Sequence, residues 1–433
     1  MPTGSRQHVV IVGGGFGGLF AAKEFVGTDI DVTLIDRTNH HLFAPLLYQV
    51  ATAALSPGDI AQPLRTILRH APNIHVVMSN VTSIDTDMRR VYSDDGTFTY
   101  DALILAPGNR HSYYGRDEWE QFAPGLKSVD DALRIREKLL VTFEEAEHHV
   151  GRPTLKELLT FVIIGAGPTG VELAGAIAEI ATHTMLPDFP KLKRSDIRVV
   201  LLEGGDRVLS SFAPELSEKA RLQLAELGVD VRTQHRVTNI NEHGVTTQEG
   251  FIPSRNVIWA AGNEASPLLK NIPGERDRQG RMIIDKDLSV PGLEDVYVIG
   301  DAARMDDELG RPLPGVCQVA MQQGTFVAKR IIRHRRDGIK PHFSYNNKGN
   351  MATIGRARAI AELKRTKWSG FIAWTLWATI HIFFLIGFRN RMKVMIEWLW
   401  YYMSFQPGAR LILGRNDGDS SRSRSHIDLH ETA

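Results

Sequence analysis

The chain has 433 residues, 43% hydrophobic and 23% charged, a composition typical of a globular protein with two or three domains. Lysine and arginine number 51 against 50 acidic residues, so the strong basic excess of a dedicated nucleic-acid binder is absent. The single cysteine, Cys317, excludes an intramolecular disulfide, a cysteine-based zinc or iron–sulfur site and a redox-active cysteine pair.

The chain begins with the pattern of a nucleotide-binding unit. Residues 9–12 form a β-branched run that predicts a buried parallel strand, and a glycine-rich segment follows at 13–18. A helix over 19–25 and a strand over 31–35 that ends at Asp36 complete this unit. Further predicted elements are strands over 74–78, 97–100 and 101–105 and a long charged helix over 129–149.

The same order of elements then repeats. A buried strand is predicted over 160–164, followed by the glycine segment 165–170, a helix through Ala181 and a strand over 198–202 that ends at Glu203. In both copies a later strand ends in a small-residue turn, Ala106-Pro107-Gly108 in the first and Ala260-Ala261-Gly262 in the second. Repetition of a whole supersecondary unit indicates two duplicated nucleotide-binding domains.

Both glycine segments fit the pattern GxGxxG between a strand and a helix. The glycines are Gly13, Gly15 and Gly18 in the first segment and Gly165, Gly167 and Gly170 in the second. The first glycine of each permits a tight turn, the second lets the backbone approach a pyrophosphate, and the third lets helix and strand pack closely. Asp36 and Glu203 stand where a carboxylate accepts from ribose hydroxyls, and this context distinguishes the motif from an unliganded turn. Because Glu203 would repel a 2′-phosphate, we expect NAD(H) rather than NADP(H).

The composition changes near the C-terminus. Residues 369–388 contain no charged side chain, include Trp374 and Trp377, and are flanked by lysines and arginines. Aromatic and cationic residues of this kind prefer the headgroup level of a bilayer, so we predict helices that lie in the membrane interface; a single span and a buried core helix are the alternatives. The predicted fold is therefore α/β, with two Rossmann-like dinucleotide-binding domains plus a C-terminal helical membrane-anchoring region.

Several longer strings are more specific than the glycine motifs. They are HLFAPLLYQVA (41–51), VIGDAA (298–303), QVAMQQG (318–324) and the tryptophan-rich C-terminal region. With these strings, residues 8–405 resemble the two-dinucleotide-binding flavoprotein reductases, and specifically the type II NADH:quinone oxidoreductases. The resemblance implies FAD on the first glycine motif, NADH as substrate on the second, and a membrane quinone as electron acceptor. Sulfide:quinone oxidoreductases share the architecture but use paired cysteines, which this chain lacks.

The resemblance also implies which residues contact each nucleotide. For FAD they are Gly13, Gly15, Gly17, Gly18, Asp36, Gln49, Ala106, Gly108, Gly300, Asp301 and Gln318. For NADH they are Gly165, Gly167, Gly170, Glu172, Glu203, Ala261 and Gly262. Asp301 considered alone could equally be a turn residue at the end of a strand.

The predicted catalytic residues are Glu172, Gln318 and Gln322. The two glutamines are spaced i and i+4, so both amides lie on one helix face, where the resemblance places them beside flavin and quinone. The alternative is a polar helix face between domains, and Gln323 is predicted to be a bystander. The resemblance implies that Glu172 relays protons; the alternative is an acid favoured by the helix dipole. No metal site is expected, because His40, His41 and His381 lack ligand spacing.

The predicted domains follow from these elements. They are a first FAD-binding part (1–125), an inserted NADH-binding domain with its linker helix (126–285), a second FAD-binding part (286–345), the membrane-anchoring region (346–414) and a polar, disordered tail (415–433). We expect a non-proton-pumping NADH:quinone oxidoreductase, homodimeric and peripheral on the cell inner membrane, with its catalytic domains facing the cytoplasm. The alternatives are a soluble NADH-dependent reductase of a small redox protein and a non-catalytic nucleotide-sensing membrane scaffold.

Overall fold

The computed structural model describes residues 6–337, 341–364, 366–404 and 408–412. Its largest sheet has five parallel strands, in the order Val296–Val298, Ala102–Leu105, His8–Val12, Asp31–Asp36, Ile74–Met78. The central strand is buried on both faces, as expected for a run of valine and isoleucine in a parallel sheet. The tail predicted over 415–433 lies outside the described residues.

A second parallel sheet repeats the arrangement of the first. Its strands lie in the order Val229–Arg232, Arg198–Leu202, Thr160–Ile164, Asn256–Trp259. In both sheets the strand before the glycine segment is central, and the strand ending in an acid is its neighbour. The α/β fold of two Rossmann-like units is thereby confirmed.

The main helices lie close to their predicted positions. The helix after the first glycine segment spans Phe16–Glu24, beginning three residues before its predicted start because Gly17 and Gly18 are themselves helical. The helix after the second spans Pro168–Glu179 and continues as a π-helical stretch, Ile180–Met185. The long helix spans Val129–His148 and begins with a capping box of Ser128 and Asp131. Another long helix, Cys317–Asp337, is called the glutamine helix below.

Smaller elements connect these units. Two three-stranded antiparallel sheets comprise Val81–Asp85, Arg90–Ser93, Gly96–Thr99 and Val237–Asn241, Gly244–Thr247, Gly250–Pro253. Two-stranded pairs are His40–Leu42 with Ala61–Pro63, Asn109–His111 with Asn263–Ala265, and Met282–Ile283 with Ala303–Arg304. Before the C-terminal region, the other α-helices of the described residues are Leu47–Ala51, Pro57–Ile60, Leu64–Ile67, Leu155–Leu158, Leu186–Asp188 and Pro214–Glu226. The strand predicted over 97–100 is thus part of a separate antiparallel sheet.

The C-terminal region differs in detail from the prediction. It begins with an unpredicted antiparallel sheet of Asn350–Gly355, Arg358–Leu363 and Thr366–Ser369. The uncharged run 369–388 is divided, because the helix Phe371–Phe384 ends at a turn in which Gly387 has φ +91°. A second helix, Phe388–Ser404, follows, and these two are called the C-terminal helices. No helix within the described part of the chain is both long enough and apolar enough to cross a membrane.

Candidate active site

The first glycine segment forms a turn in which the protein backbone packs closely around Gly13 and Gly18 and leaves Gly15 open. Gly13 has φ +102°, and a Cβ atom there would overlap the carbonyl oxygen of Ala106. A Cβ atom at Gly18 would overlap the carbonyl oxygen of Gly13, so strand and helix meet only because both residues are glycine. At Gly15, which caps the following helix, an added Cβ would meet no protein atom within 4 Å. The turn therefore fits a dinucleotide pyrophosphate at a helix N-terminus, as bound FAD requires.

The second glycine segment has the same geometry. Gly165 has φ +99°, and a Cβ atom at Gly170 would overlap the carbonyl oxygen of Gly165. Gly167 caps the helix Pro168–Glu179 without a side-chain hydrogen bond, and its added Cβ would meet nothing within 4 Å. This second turn fits the pyrophosphate of NADH in the same way.

The two acidic residues hold these turns in place. One carboxylate oxygen of Asp36 accepts from the backbone N–H of Gly14 (2.6 Å), and the other accepts from the N–H of Thr38 (2.7 Å). In the second unit Glu203 accepts from the N–H of Ala166 (2.8 Å) and of Gly205 (2.7 Å). Each acid thus fixes the backbone of its turn, a role that the sequence did not suggest. The ribose contacts stay a prediction.

An antiparallel pair joins the two units where their strands end. Ala106 donates its N–H to Val12 (2.8 Å), and the chain then turns at Gly108 (φ +70°) into the strand Asn109–His111. In the second unit Ala261 and Gly262 (φ +77°) lead into the strand Asn263–Ala265, which pairs with Asn109–His111. Because nucleotides bind at the carboxyl ends of parallel strands, this pairing brings the two nucleotide sites towards each other.

The Gly300-Asp301 turn is held from the glutamine helix. Gly300 has φ +69° and donates its N–H to the side-chain oxygen of Gln323 (2.7 Å). Gln323 is 1% exposed, so it is not the bystander that its position off the Gln318 face suggested. A Cβ atom at Gly17 would come within 3.1 Å of Ile299, and one at Gly324 would overlap the carbonyl oxygen of Gly17. Gly17 therefore lies at a close helix crossing.

Asp301 belongs to a small polar network that the sequence did not reveal. Its carboxylate accepts from the side-chain amide of Asn109 (2.8 Å), whose oxygen accepts from the Lys127 ammonium (2.6 Å). Burial raises the pKa of Asp301 and lowers the pKa of Lys127. The only sequence signal was the position of Asn109 directly after the Ala-Pro-Gly turn.

Gln318 and Gln322 share one face of the glutamine helix, as their spacing predicts. Both contact the segment that leads to the C-terminal sheet: Gln318 donates to the carbonyl of Gly349 (3.4 Å), and Gln322 exchanges two hydrogen bonds with the backbone of Asn346. The side-chain oxygen of Gln318 is buried and accepts no hydrogen bond from the described residues. That oxygen can therefore accept from a bound group.

Glu172 lies on the helix Pro168–Glu179 beside the C-terminal sheet. The backbone N–H of Thr353 donates to its carboxylate, but burial dominates and raises the pKa of Glu172 to about 8. Glu179, two helical turns further on, accepts from the N–H of Arg356 (2.6 Å), and burial raises its pKa to about 7. Both carboxyl groups can therefore carry a proton near neutral pH.

These two acids line a cavity with aromatic walls, called the aromatic cavity below. Its volume is about 70 Å³, and Tyr48 and Gln49 are among the residues that line it. The C-terminal helices supply Trp374, Trp377, Trp398, Tyr401 and Tyr402. Gln318 and Gln322 are not among the residues that line it. The cavity could not be recognised from the sequence, because its walls come from segments far apart in the chain.

Two family matches cover most of the chain. Residues 7–324 match the pyridine nucleotide-disulphide oxidoreductase family, and residues 347–404 match the NDH2 C-terminal domain. The type II NADH:quinone oxidoreductase Ndh of Mycobacterium tuberculosis is 40% identical over 420 residues, covering 93% of this chain and 89% of its own. The enzyme NdhA of the same organism, which has the same descriptive name, is 42% identical over 416 residues, covering 92% and 87%.

Solved structures show the same fold. NDH2 from Plasmodium falciparum, solved in complex with NADH, has a TM-score of 0.86 at 19% identity and covers 94% of this chain and 100% of its own. The sulfide:quinone oxidoreductase of Aquifex aeolicus is similar with a TM-score of 0.69 at 19% identity, covering 89% and 92%. Such low identity supports the fold alone, whereas the mycobacterial relatives and the family matches establish the family. The chain therefore belongs to the type II NADH:quinone oxidoreductases, a family of membrane-associated respiratory enzymes, and is an oxidoreductase with FAD as its cofactor.

Proposed function

We propose that this chain binds NADH on its second glycine turn, FAD on its first, and a quinone in the aromatic cavity, and that it does not pump protons. The observation that carries the proposal is the pair of equivalent turns joined by the strands Asn109–His111 and Asn263–Ala265. When bound, FAD supplies the two-electron chemistry between NADH and quinone. The protein positions both nucleotides, and Glu203 selects a free 2′-hydroxyl over a 2′-phosphate.

The acceptor side needs protons as well as electrons, because reduction of a quinone to a quinol consumes two protons. Glu172 carries a proton at neutral pH and lines the aromatic cavity, so we assign it as the donor of one of these two protons to the quinone. The aromatic side chains provide flat apolar surfaces for a quinone ring. We also propose that the buried oxygen of Gln318, which has no partner within the described part of the chain, faces the flavin, with Gln322 beside it.

Purified protein is expected to be yellow and to oxidise NADH only when a quinone is supplied. The yellow colour reports flavin retained by the first glycine turn. The measurement is NADH consumption with quinone added or withheld, and with a small redox protein as the competing acceptor. Turnover with the redox protein but not with quinone would favour the soluble reductase, and flavin without any turnover would favour the nucleotide sensor.

We propose that the C-terminal helices attach the enzyme to the cell inner membrane, with the catalytic domains facing the cytoplasm. Large apolar side chains recur along one side of the second helix, and Phe388, Ile396 and Leu399 are 79%, 61% and 60% exposed. Arg389 lies on the same helix and is exposed, so it can meet anionic headgroups, whereas Lys393 forms an ion pair with Asp59 (2.6 Å). We also propose a homodimer in which a second copy of the chain covers part of this apolar surface and lipid covers the rest; the mass of the detergent-solubilised protein tests it.

Replacing Ile396 and Leu399 together by aspartate is expected to abolish co-sedimentation with anionic vesicles. The two substitutions remove apolar contact and add negative charge on the proposed lipid-facing side. Reduction of flavin by NADH is expected to remain, since neither residue lies near the glycine turns. The matched control is Leu222→Asp, which changes an exposed leucine on the helix Pro214–Glu226. Retained vesicle binding in the double variant would contradict the proposed attachment.

A further inference from the structure

Three side chains form a hydrogen-bonded chain from a C-terminal helix to the aromatic cavity. The indole N–H of Trp398 donates to the side-chain oxygen of Gln49 (2.7 Å). The side-chain nitrogen of Gln49 in turn donates to the hydroxyl oxygen of Tyr48 (2.8 Å). Tyr48 is 7% exposed and Gln49 is 9% exposed, so both bonds are shielded from water.

The direction of every bond in this chain is determined by Trp398. An indole nitrogen only donates, so the atom of Gln49 that faces it must be the oxygen. The amide nitrogen therefore faces Tyr48, and the phenol oxygen must accept. The Tyr48 hydrogen consequently points away from Gln49, and none of the described residues accepts it.

The free hydrogen of Tyr48 is buried beside the cavity that also contains Glu172. Tyr48 lines this cavity, and Glu172 lies close enough that its charged form raises the pKa of the phenol. A buried donor without a partner is costly, so the site is prepared for an acceptor atom. A quinone carbonyl oxygen, which becomes negatively charged as the ring is reduced, is such an atom.

We propose that Tyr48 donates a hydrogen bond to a quinone carbonyl oxygen, and that Trp398 is a positioning residue that sets this direction through Gln49. The inference rests on the proposed placement of the quinone in the aromatic cavity. It connects the lipid-facing helix to the chemistry, because Trp398 lies on the same helix as the exposed residues Ile396 and Leu399. If that helix moved, Gln49 would lose its hydrogen bond from Trp398, and the direction of the Tyr48 hydroxyl would no longer be fixed.

The test separates the two half-reactions by anaerobic stopped flow. Flavin reduction by NADH is measured first, and reoxidation of the reduced enzyme by a short-chain ubiquinone or menaquinone is measured second. In Tyr48→Phe, reoxidation is expected to slow by roughly 10- to 100-fold. This is less than the roughly 10²- to 10³-fold for removing one donor from an oxyanion hole, because Glu172 still supplies a proton to the quinone. Reduction by NADH and flavin content are expected to match the wild type, because the ring is retained. The melting temperature is expected to fall by a few degrees, because the buried amide N–H of Gln49 loses its acceptor.

Two further variants test the direction of the bonds. Gln49→Glu keeps the acceptor for Trp398 but replaces the donor to Tyr48 by an oxygen, so the phenol turns back towards residue 49. Reoxidation of this variant is expected to slow as in Tyr48→Phe, although the hydroxyl remains. At low pH its rate is expected to approach that of the wild type, because the new carboxyl is protonated and can donate to Tyr48. Trp398→Phe is compared with Trp377→Phe, since both line the cavity but the Trp377 nitrogen has no hydrogen-bond partner among the described residues. Reoxidation by quinone is expected to be at least roughly threefold slower in Trp398→Phe than in Trp377→Phe, which corresponds to the loss of one hydrogen bond.

The outcomes distinguish this inference from the proposed function. If wild-type enzyme is not reoxidised by quinone at all, the proposed function fails. If wild type is reoxidised and Glu172→Gln is slow, but Tyr48→Phe matches the wild type, the inference alone is overturned. Equal rates for Trp398→Phe and Trp377→Phe, or an unaffected Gln49→Glu, would remove the positioning role of Trp398.

Discussion

Glu172→Gln is expected to slow electron transfer to quinone by roughly 10²-fold, the usual scale for losing a general acid. Glutamine keeps the size of the side chain and can still accept from the Thr353 N–H, but it carries no transferable proton. Reduction of flavin by NADH is expected to continue, because the second glycine turn is unchanged. Stopped-flow measurement of both half-reactions checks this, and equal reoxidation rates in variant and wild type would contradict the assigned role.

The pH dependence follows from the raised pKa of Glu172. The carboxyl is protonated in the folded protein up to about pH 8, compared with an ordinary value of 4.5. Wild-type reoxidation is therefore expected to fall as the pH rises through about 8, whereas the glutamine variant should show no such fall. Burial raises the pKa of Glu179, which lines the same cavity, to about 7. The pH profile of Glu179→Gln is therefore compared with that of Glu172→Gln to show which of the two carboxyls causes the fall in rate.

The free energy of unfolding of the wild type is also expected to fall as the pH rises. Because the folded-state pKa of Glu172 lies above the unfolded-state value, the stabilisation from its protonated form is fully present below about 4.5 and is lost as the pH rises through about 8. The wild type is thus expected to lose stability relative to Glu172→Gln across this interval. Thermal unfolding of both proteins at several pH values measures the difference.

Gly167→Ala is expected to raise the KM for NADH by at least about tenfold. A tenfold weaker affinity corresponds to the loss of about 1.4 kcal/mol of binding free energy. The added methyl group meets no protein atom within 4 Å, so the fold and the flavin content should be unchanged. It would occupy the space where the second glycine turn meets the pyrophosphate. A normal KM for NADH in this variant would show that the dinucleotide does not bind at this turn.

Gly170→Ala is the variant to compare with Gly167→Ala. Its methyl group would overlap the carbonyl oxygen of Gly165 even without a ligand, so it should lower the melting temperature as well as weaken NADH binding. Gly204→Ala, where nothing lies within 4 Å and no strand–helix crossing occurs, serves as the neutral substitution for stability. The contrast between positions 167 and 170 therefore distinguishes ligand contact from internal packing.

The glycine turns were predictable because their geometry is local. A strand, three glycines at fixed spacing and a helix determine a tight turn wherever they occur, and Asp36 and Glu203 follow at the end of the next strand. What spacing could not reveal is how each carboxylate is used, since hydrogen bonds to Gly14 and Ala166 depend on the closed turn. The burial of Gln323 was missed for a related reason: the direction of a helix face is decided by what the helix packs against.

The amino-acid sequence by itself determined the two nucleotide-binding units, the exclusion of cysteine chemistry and the apolar C-terminal region, since all three depend on composition or on neighbours in the chain. Only the tertiary structure decided how Glu172 meets Tyr48 and the tryptophans of the C-terminal helices. Those residues come from three distant segments, and packing alone brings them together. The raised pKa of Glu172 and the direction of the Tyr48 hydroxyl arise from that packing, because burial and hydrogen-bond polarity exist only once the surrounding side chains are in place.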